Sequence, residues 1–275
     1  MGRVTNRLFW GVPFAGYETP YLERFTAAFG AAAEGTGAEA LWYYNGADGA
    51  FAKTLAKHAK AMPIRVKVLW ESLPVLGNTD AIIKNNAVAI AHARTQYELR
   101  RRDPAALLFM HESDVIVPPG GIAQLVEGLK AHPALGALSG AIPEWRTRDP
   151  IYVGTMAWRI QPRHEGSYTP PGGGPVVGWY LPEMTKGIEM CDAVPFGALL
   201  ARLSVFEQVP LATRMFPGLG VDQEWSQNML YAGKMPVAVD WGVWCGHYRR
   251  DFNPAWEDIR ERMTTGVSAT VGLAP

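Results

Sequence analysis

Residues 107–119 (LLFMHESDVIVPP) end an apolar run on two carboxylates one residue apart, Glu112 and Asp114. On an extended backbone, side chains at that spacing point to the same side. Two carboxylates presented together can hold Mg²⁺ or Mn²⁺ through hard oxygen ligands, leaving positions open for phosphate oxygens. An ion held there would stabilise negative charge developing on a phosphate leaving group. Acidic-x-acidic on its own is a common pattern, so its weight depends on the elements around it.

Those elements alternate. Residues 7–14 read as a buried strand, 19–33 as a helix with Thr19 as N-cap and Pro20 in the first turn, and 40–44 as a second strand stopped by Asn45-Gly46-Ala47-Asp48-Gly49. A helix over 51–61, a strand over 64–70 and an Ala-rich helix over 80–99 follow. Residues 105–110 (AALLFM) have the continuous apolar character of a central strand covered on both faces. Pro118-Pro119-Gly120-Gly121 opens a helix over 122–131, and 135–140 is another strand. Strand–helix alternation of this kind predicts a mainly parallel sheet flanked by helices. It also places Glu112 and Asp114 at the C-terminal edge, where such sheets bind ligands.

The second half is less regular. Residues 161–178 (QPRHEGSYTPPGGGPVVG) are dense in Gly and Pro and read as a long loop of the kind that serves as a lid. Strands are expected near 193–201, 237–239 and 243–247, with helices at 204–208 and 222–232. No internal repeat or linker divides the 275 residues, so a single α/β domain is expected, with 251–275 as a C-terminal tail.

Composition narrows the classes. A net charge of +0 gives no global attraction to nucleic acid or anionic lipid. Arg100-Arg101-Arg102 reads as a solvated helix end, and it leaves a local basic patch open. Cys191 and Cys245 form no Cys-x-x-Cys pair, which argues against a thiolate zinc site or a disulfide scaffold. No segment approaches the ~20 apolar residues of a membrane span. We therefore expect no membrane segment and a cytoplasmic protein. Ten Trp and 29 Gly suggest an aromatic-rich cleft bordered by glycine loops, with most of the Trp in the core.

In this setting 107–119 resembles the DxD segment of GT-A fold glycosyltransferases, especially family-2-like enzymes, with Glu112 in place of the first Asp. The resemblance extends in order over residues 7 to 247. Residues 78–93 (NTDAIIKNNAVAIAHA) look like the family helix that faces the nucleotide-sugar, with Lys84 and Asn85 in the corresponding place. Residues 192–208 are similar to the strand and helix before the acidic catalytic segment. Residues 218–233 (GLGVDQEWSQNMLYAG) resemble its G-x-D-x-x-x-S pattern, and 243–247 (VWCGH) lies where many members carry a late metal-binding His.

The resemblance implies a GT-A (Rossmann-like) fold, a Mn²⁺ or Mg²⁺ cofactor and a nucleotide-sugar donor, most commonly a UDP-sugar. It implies a nucleotide-sugar-binding half over about 7–140 and an acceptor and catalytic half over about 141–250. Glu112, Asp114 and His247 would be the metal ligands. Asp222 would take the acceptor's proton, with Glu224 second; an N-cap role for Asp222 is compatible with this. Pro13, Tyr17, Asp48, Lys84, Asn85 and Ser113 fall on the donor side, although Asn45-Gly46 and Asp48-Gly49 also read simply as turn residues. Trp145, Trp179, Phe196 and Trp225 are candidates for an acceptor platform. The acceptor is a glycan, a protein or a modified DNA base, with Arg249-Arg250 as a further basic pair. Two alternatives stand beside this reading. A nucleotidyltransferase usually has a basic Gly-rich loop after strand one, and GVPFAGYETP has no basic residue. A non-catalytic nucleotide-sugar-binding protein would have no need of four acidic residues in these segments.

Overall fold

The computed structural model describes residues 7–16, 22–75, 80–145, 153–160, 176–180, 187–212 and 221–247. The first five elements are β1 (Leu8–Phe14), α1 (Leu22–Ala33), β2 (Glu39–Asn45), α2 (Gly49–Lys60) and β3 (Arg65–Glu71). Then come α3 (Asp80–Arg100), β4 (Leu107–His111), β5 (Val115–Ile116), α4 (Gly121–Ala131) and β6 (Ala137–Ala141). The second half contributes β7 (Pro143–Trp145), β8 (Val153–Ile160), β9 (Val176–Tyr180), β10 (Ile188–Cys191) and β11 (Ala198–Arg202). The last elements are α5 (Val205–Gln208), α6 (Val221–Tyr231), β12 (Val237–Trp244) and β13 (Gly246–His247).

Eight strands form the central sheet in the order β10-β12-β6-β11-β4-β1-β2-β3. β3, β2, β1 and β4 pair in parallel. β11 is antiparallel to both β4 and β6, and β12 runs parallel to β6. Thus β4 and β6 run the same way, and all the parallel strands end at one edge.

Alternating side chains fill two cores. Trp10, Val12, Phe14, Trp42, Leu107 and Phe109 pack with α1, α2 and α4 on one face. Phe9, Leu41, Leu108 and Met110 pack with α3, α5 and α6 on the other. Every residue of β4 is buried, as its uninterrupted apolar run predicts. Gly11 sets the depth of α3: a Cβ there would lie 2.4 Å from Thr95 Cγ2. Only a glycine lets this helix ride so close to the sheet.

Several expectations change. Residues 176–178 are not loop; they begin β9, which pairs with β8, while 161–175 lie outside the described residues. The strand expected from 193 begins at Ala198; residues 194–197 are not strand, and the Val194 amide donates to Ser226 of α6 instead. The two strands expected over 237–247 are one strand with an irregularity between Asp240 and Trp244, followed by β13. Cys191 and Cys245 are free and buried. Among the described residues no helix is long and apolar enough to cross a membrane. The tail 251–275 and Arg249-Arg250 lie outside the described residues.

Candidate metal and donor site

β4 delivers the acidic pair, but not on an extended backbone. Residues 112–115 form a turn closed by the Val115 amide, which donates to the Glu112 carbonyl at 3.1 Å. The Glu112 amide donates to the Gly197 carbonyl at 3.2 Å, tying the turn to the start of β11. Strand geometry therefore does not align the two carboxylates, which stand on a turn instead. Glu112 faces α3, where His92 Nε2 lies 3.2 Å from its Oε1. His92 is wholly buried, and the Glu112 side chain is 26% exposed.

His111 holds the turn from the opposite face. The Trp10 indole N–H donates to its Nδ1 at 3.2 Å, so Nε2 carries the hydrogen and donates to the Val115 carbonyl at 2.8 Å. Burial holds the imidazole pKa down to about 4, against an ordinary value near 6.5. The unfolded chain therefore takes up a proton that the folded chain refuses between these values. Stability is fully present above pH 6.5 and falls as the pH drops towards 4, by about 3 kcal/mol in all. Urea unfolding at pH 7 and pH 4.5 should show this loss, and His111→Phe should remove that part of the pH dependence.

His247 reaches the same place by strand pairing. β13 is antiparallel to β5, with His247 opposite Val115 and Gly246 opposite Ile116. The backbone of the third expected ligand is thus next to Asp114, although the His247 side chain is outside the described residues. Among the described residues no three His, Cys, Asp or Glu side chains group closely enough to hold an ion. By residue type, two carboxylates and an imidazole are the oxygen-and-nitrogen donors that suit Mn²⁺ or Mg²⁺; of the imidazole, the structure describes only the backbone.

The acidic helix start lies along the same edge. Ser226 Oγ donates to the Asp222 carbonyl at 2.7 Å and accepts the Val194 amide at 3.2 Å. The serine of the G-x-D-x-x-x-S pattern thus anchors α6 to the segment leading into β11. Asp222 Oδ1 accepts the Gln223 amide at 2.9 Å, in keeping with a residue of the first helical turn. Glu224 differs: its Oε2 is buried with no hydrogen-bond partner among the described residues, and burial pushes its carboxyl pKa up.

Other expected residues divide. Phe196 and Trp225 are 0% and 1% exposed and pack edge to face, with the Trp225 indole bonded to the Val209 carbonyl. They are core and present no face to an acceptor. Pro13 is buried within β1, opposite Tyr43, and Ser113 is 2% exposed, which leaves neither an open surface for a ligand. Asp48 is exposed and caps α2, its Oδ1 accepting the Ala50 amide at 2.8 Å. The turn role expected for it therefore holds. Trp145 and Trp179 lie on β7 and β9 of a separate three-stranded sheet, and Lys84 and Asn85 on α3. None of these four side chains is among those described, and Tyr17 lies outside the described residues altogether.

Two side chains went unseen in the sequence. His92 stands in an Ala-rich helix, where no spacing links it to Glu112. Trp70, next to last in β3, has 47% of its surface exposed and its indole bonded to the Gly46 carbonyl at 2.8 Å. Beside it Asn45 is buried, its Oδ1 accepting the Leu73 amide at 2.9 Å and its Nδ2 unpartnered among the described residues.

No family model matches the chain, and no curated protein matches it. Solved structures do match its fold. GalNAc-T7, solved with UDP, GalNAc and Mn²⁺, superposes with a TM-score of 0.59 at 12% identity over 91% of this chain and 45% of its own. The mannosyltransferase PcManGT from Pyrobaculum calidifontis, in complex with GDP-Man and Mn²⁺, gives 0.56 at 13% identity over 94% of this chain and 61% of its own. The chain thus spans about half the length of these matched chains. What it shares with them is the fold: a mixed α/β domain of the GT-A class, its central sheet flanked by helices.

Proposed function

We propose that this chain is a metal-dependent glycosyltransferase, moving a sugar from a nucleotide-diphosphate sugar to an acceptor hydroxyl. The observation that carries the reading is the turn at the end of β4. It carries Glu112 and Asp114 at the C-terminal end of a parallel strand, with the backbone of His247 paired beside it, and such strand ends are where α/β sheets bind ligands. Glu112, Asp114 and His247 would hold Mn²⁺ or Mg²⁺, which supplies charge stabilisation for the departing diphosphate.

The rest of the chemistry belongs to the protein. The donor's base would lie over the ends of β2 and β3. There the fixed Trp70 ring would offer a stacking face and the Asn45 amide, unpartnered among the described residues, a donor; Asp48, Tyr17, Lys84 and Asn85 would complete that side. UDP is the nucleotide we assign, the commonest choice in the resembling family. Asp222, with Glu224 second, would accept the acceptor proton as the sugar transfers. With Phe196 and Trp225 in the core, the acceptor platform falls to Trp145 and Trp179 on the sheet beside β13. A glycan, a protein or a modified DNA base would each present the required hydroxyl.

Thermal unfolding with UDP, GDP and their sugars, each with Mn²⁺ or with chelator, tests this. A ligand at about a hundredfold its Kd stabilises by about 2.7 kcal/mol, a rise on the order of 5 °C for a domain of this size. We expect such a rise with UDP that chelator removes. No metal-dependent rise with any nucleotide would overturn the proposal.

A further inference from the structure

His92 is wholly buried in α3, the helix whose Thr95 approaches the sheet at Gly11. Its Nδ1 has no hydrogen-bond partner among the described residues, and its Nε2 lies 3.2 Å from Glu112 Oε1. Burying an imidazole with one nitrogen unpaired costs free energy that a leucine in the same space would not incur. Packing alone therefore does not explain a histidine here, whereas its polar contact does. A carboxylate oxygen has no proton to give, so Nε2 carries the hydrogen and donates to Oε1.

The ring itself is immobilised. Phe196 stands edge-on to it, with centroids 5.2 Å apart and the planes at 67°, and Phe196 is in turn clamped by Trp225 of α6. The close approach of Thr95 to Gly11 fixes the helix one turn further along. Glutamate at position 112 has one more rotatable bond than the aspartate usual in the resembling segment. That freedom must be lost whenever the side chain binds an ion.

We infer that His92 is a positioning residue: it anchors Oε1 of Glu112 and so presents Oε2, on the Gly197 side, as a single-oxygen ligand for the divalent ion. This rests on the reading of Glu112 and Asp114 as metal ligands. The histidine removes in advance the freedom that the longer arm introduces, and it does so from the interior, where solvent does not compete for the bond.

Mn²⁺ titrations of the full chain, followed by the EPR signal of the free ion with UDP or GDP in excess, test the inference. The variants are His92→Leu, His92→Gln and Asp114→Ala. Wild type should show saturable binding that Asp114→Ala abolishes. His92→Leu should weaken it by about tenfold or more, the usual consequence of losing a partner to a metal ligand. His92→Gln, whose amide can donate in the same direction, should recover most of the affinity, and His92→Leu should melt no lower than wild type. Equal affinity in His92→Leu and wild type overturns the positioning role and leaves the metal reading intact. Binding that is absent from wild type, or unchanged in Asp114→Ala, overturns the metal reading and this inference with it. If His92→Leu does not fold, His92→Asn takes its place. The shorter amide stops short of Oε1, so asparagine and glutamine binding Mn²⁺ equally well would overturn the role.

Discussion

Asp114→Ala is expected to abolish the Mn²⁺-dependent stabilisation by nucleotide and to lower sugar transfer by at least about 10³-fold. The size follows from what the residue would do. One of two carboxylates is removed from an ion whose charge is worth most when the diphosphate departs, and water cannot replace a fixed anion at that moment. The fold should survive. Asp114 is partly exposed, and its turn is also held by the Gly197 carbonyl, the His111 ring and the His247 backbone. Circular dichroism and melting temperature should therefore match wild type while the nucleotide-induced shift disappears. A retained shift with Mn²⁺ would remove Asp114 from the ligand set.

Asp222→Asn is expected to leave donor binding intact and to reduce transfer by about 10²–10⁴-fold, the usual contribution of a positioned base. Asparagine keeps an oxygen for the Gln223 amide, and the helix start is further secured by Ser226, so the loss would be chemical rather than structural. Glu224→Gln is the matched control. Its buried, unpartnered Oε2 and raised pKa are the features of a carboxyl that holds a proton readily, and such features concentrate where acid–base chemistry occurs. If Glu224→Gln alone loses transfer, the base is Glu224. If Asp222→Asn loses transfer and Glu224→Gln retains it, the assignment stands. Single-turnover transfer with saturating donor separates these outcomes from any effect on binding.

The sequence reading succeeded where one period dominated a segment. The apolar run into His111, the Ala-rich stretch that became α3 and the turn residues around Asp48 lie within a few residues of their expected places. It failed where tertiary contacts decide conformation. Glu112 to Asp114 look like a continuation of the strand, but the bond from His111 to the Val115 carbonyl bends them into a turn. Phe196 and Trp225 are candidates for an acceptor platform on aromatic character alone, and the packing of α6 against β11 makes them core. β10 pairs only at the sheet edge, β8 and β9 only with each other and β7, and all three are short or irregular, so no local pattern announced them. His92 was invisible because its partner lies across the fold. A lone histidine among alanines gives no hint of a carboxylate above it.

The antiparallel β11, set between two parallel strands, has a consequence for the order in which the molecule is made. β1, β2, β3 and β4 can pair with one another as soon as they leave the ribosome. The long-range ties of the carboxylate turn, however, form only when Gly197 and then His247 arrive from far along the chain. Contacts between such distant residues form late, because the closure entropy must be met before they return anything. A chain halted after β6 would therefore have the parallel strands and the local bonds of the acidic turn, but not the ties that fix the turn in place. In refolding, the far-UV signal of the sheet should return before the response to Mn²⁺. On the function proposed above, a half-made chain would offer metal no finished site, and binding would mark completion.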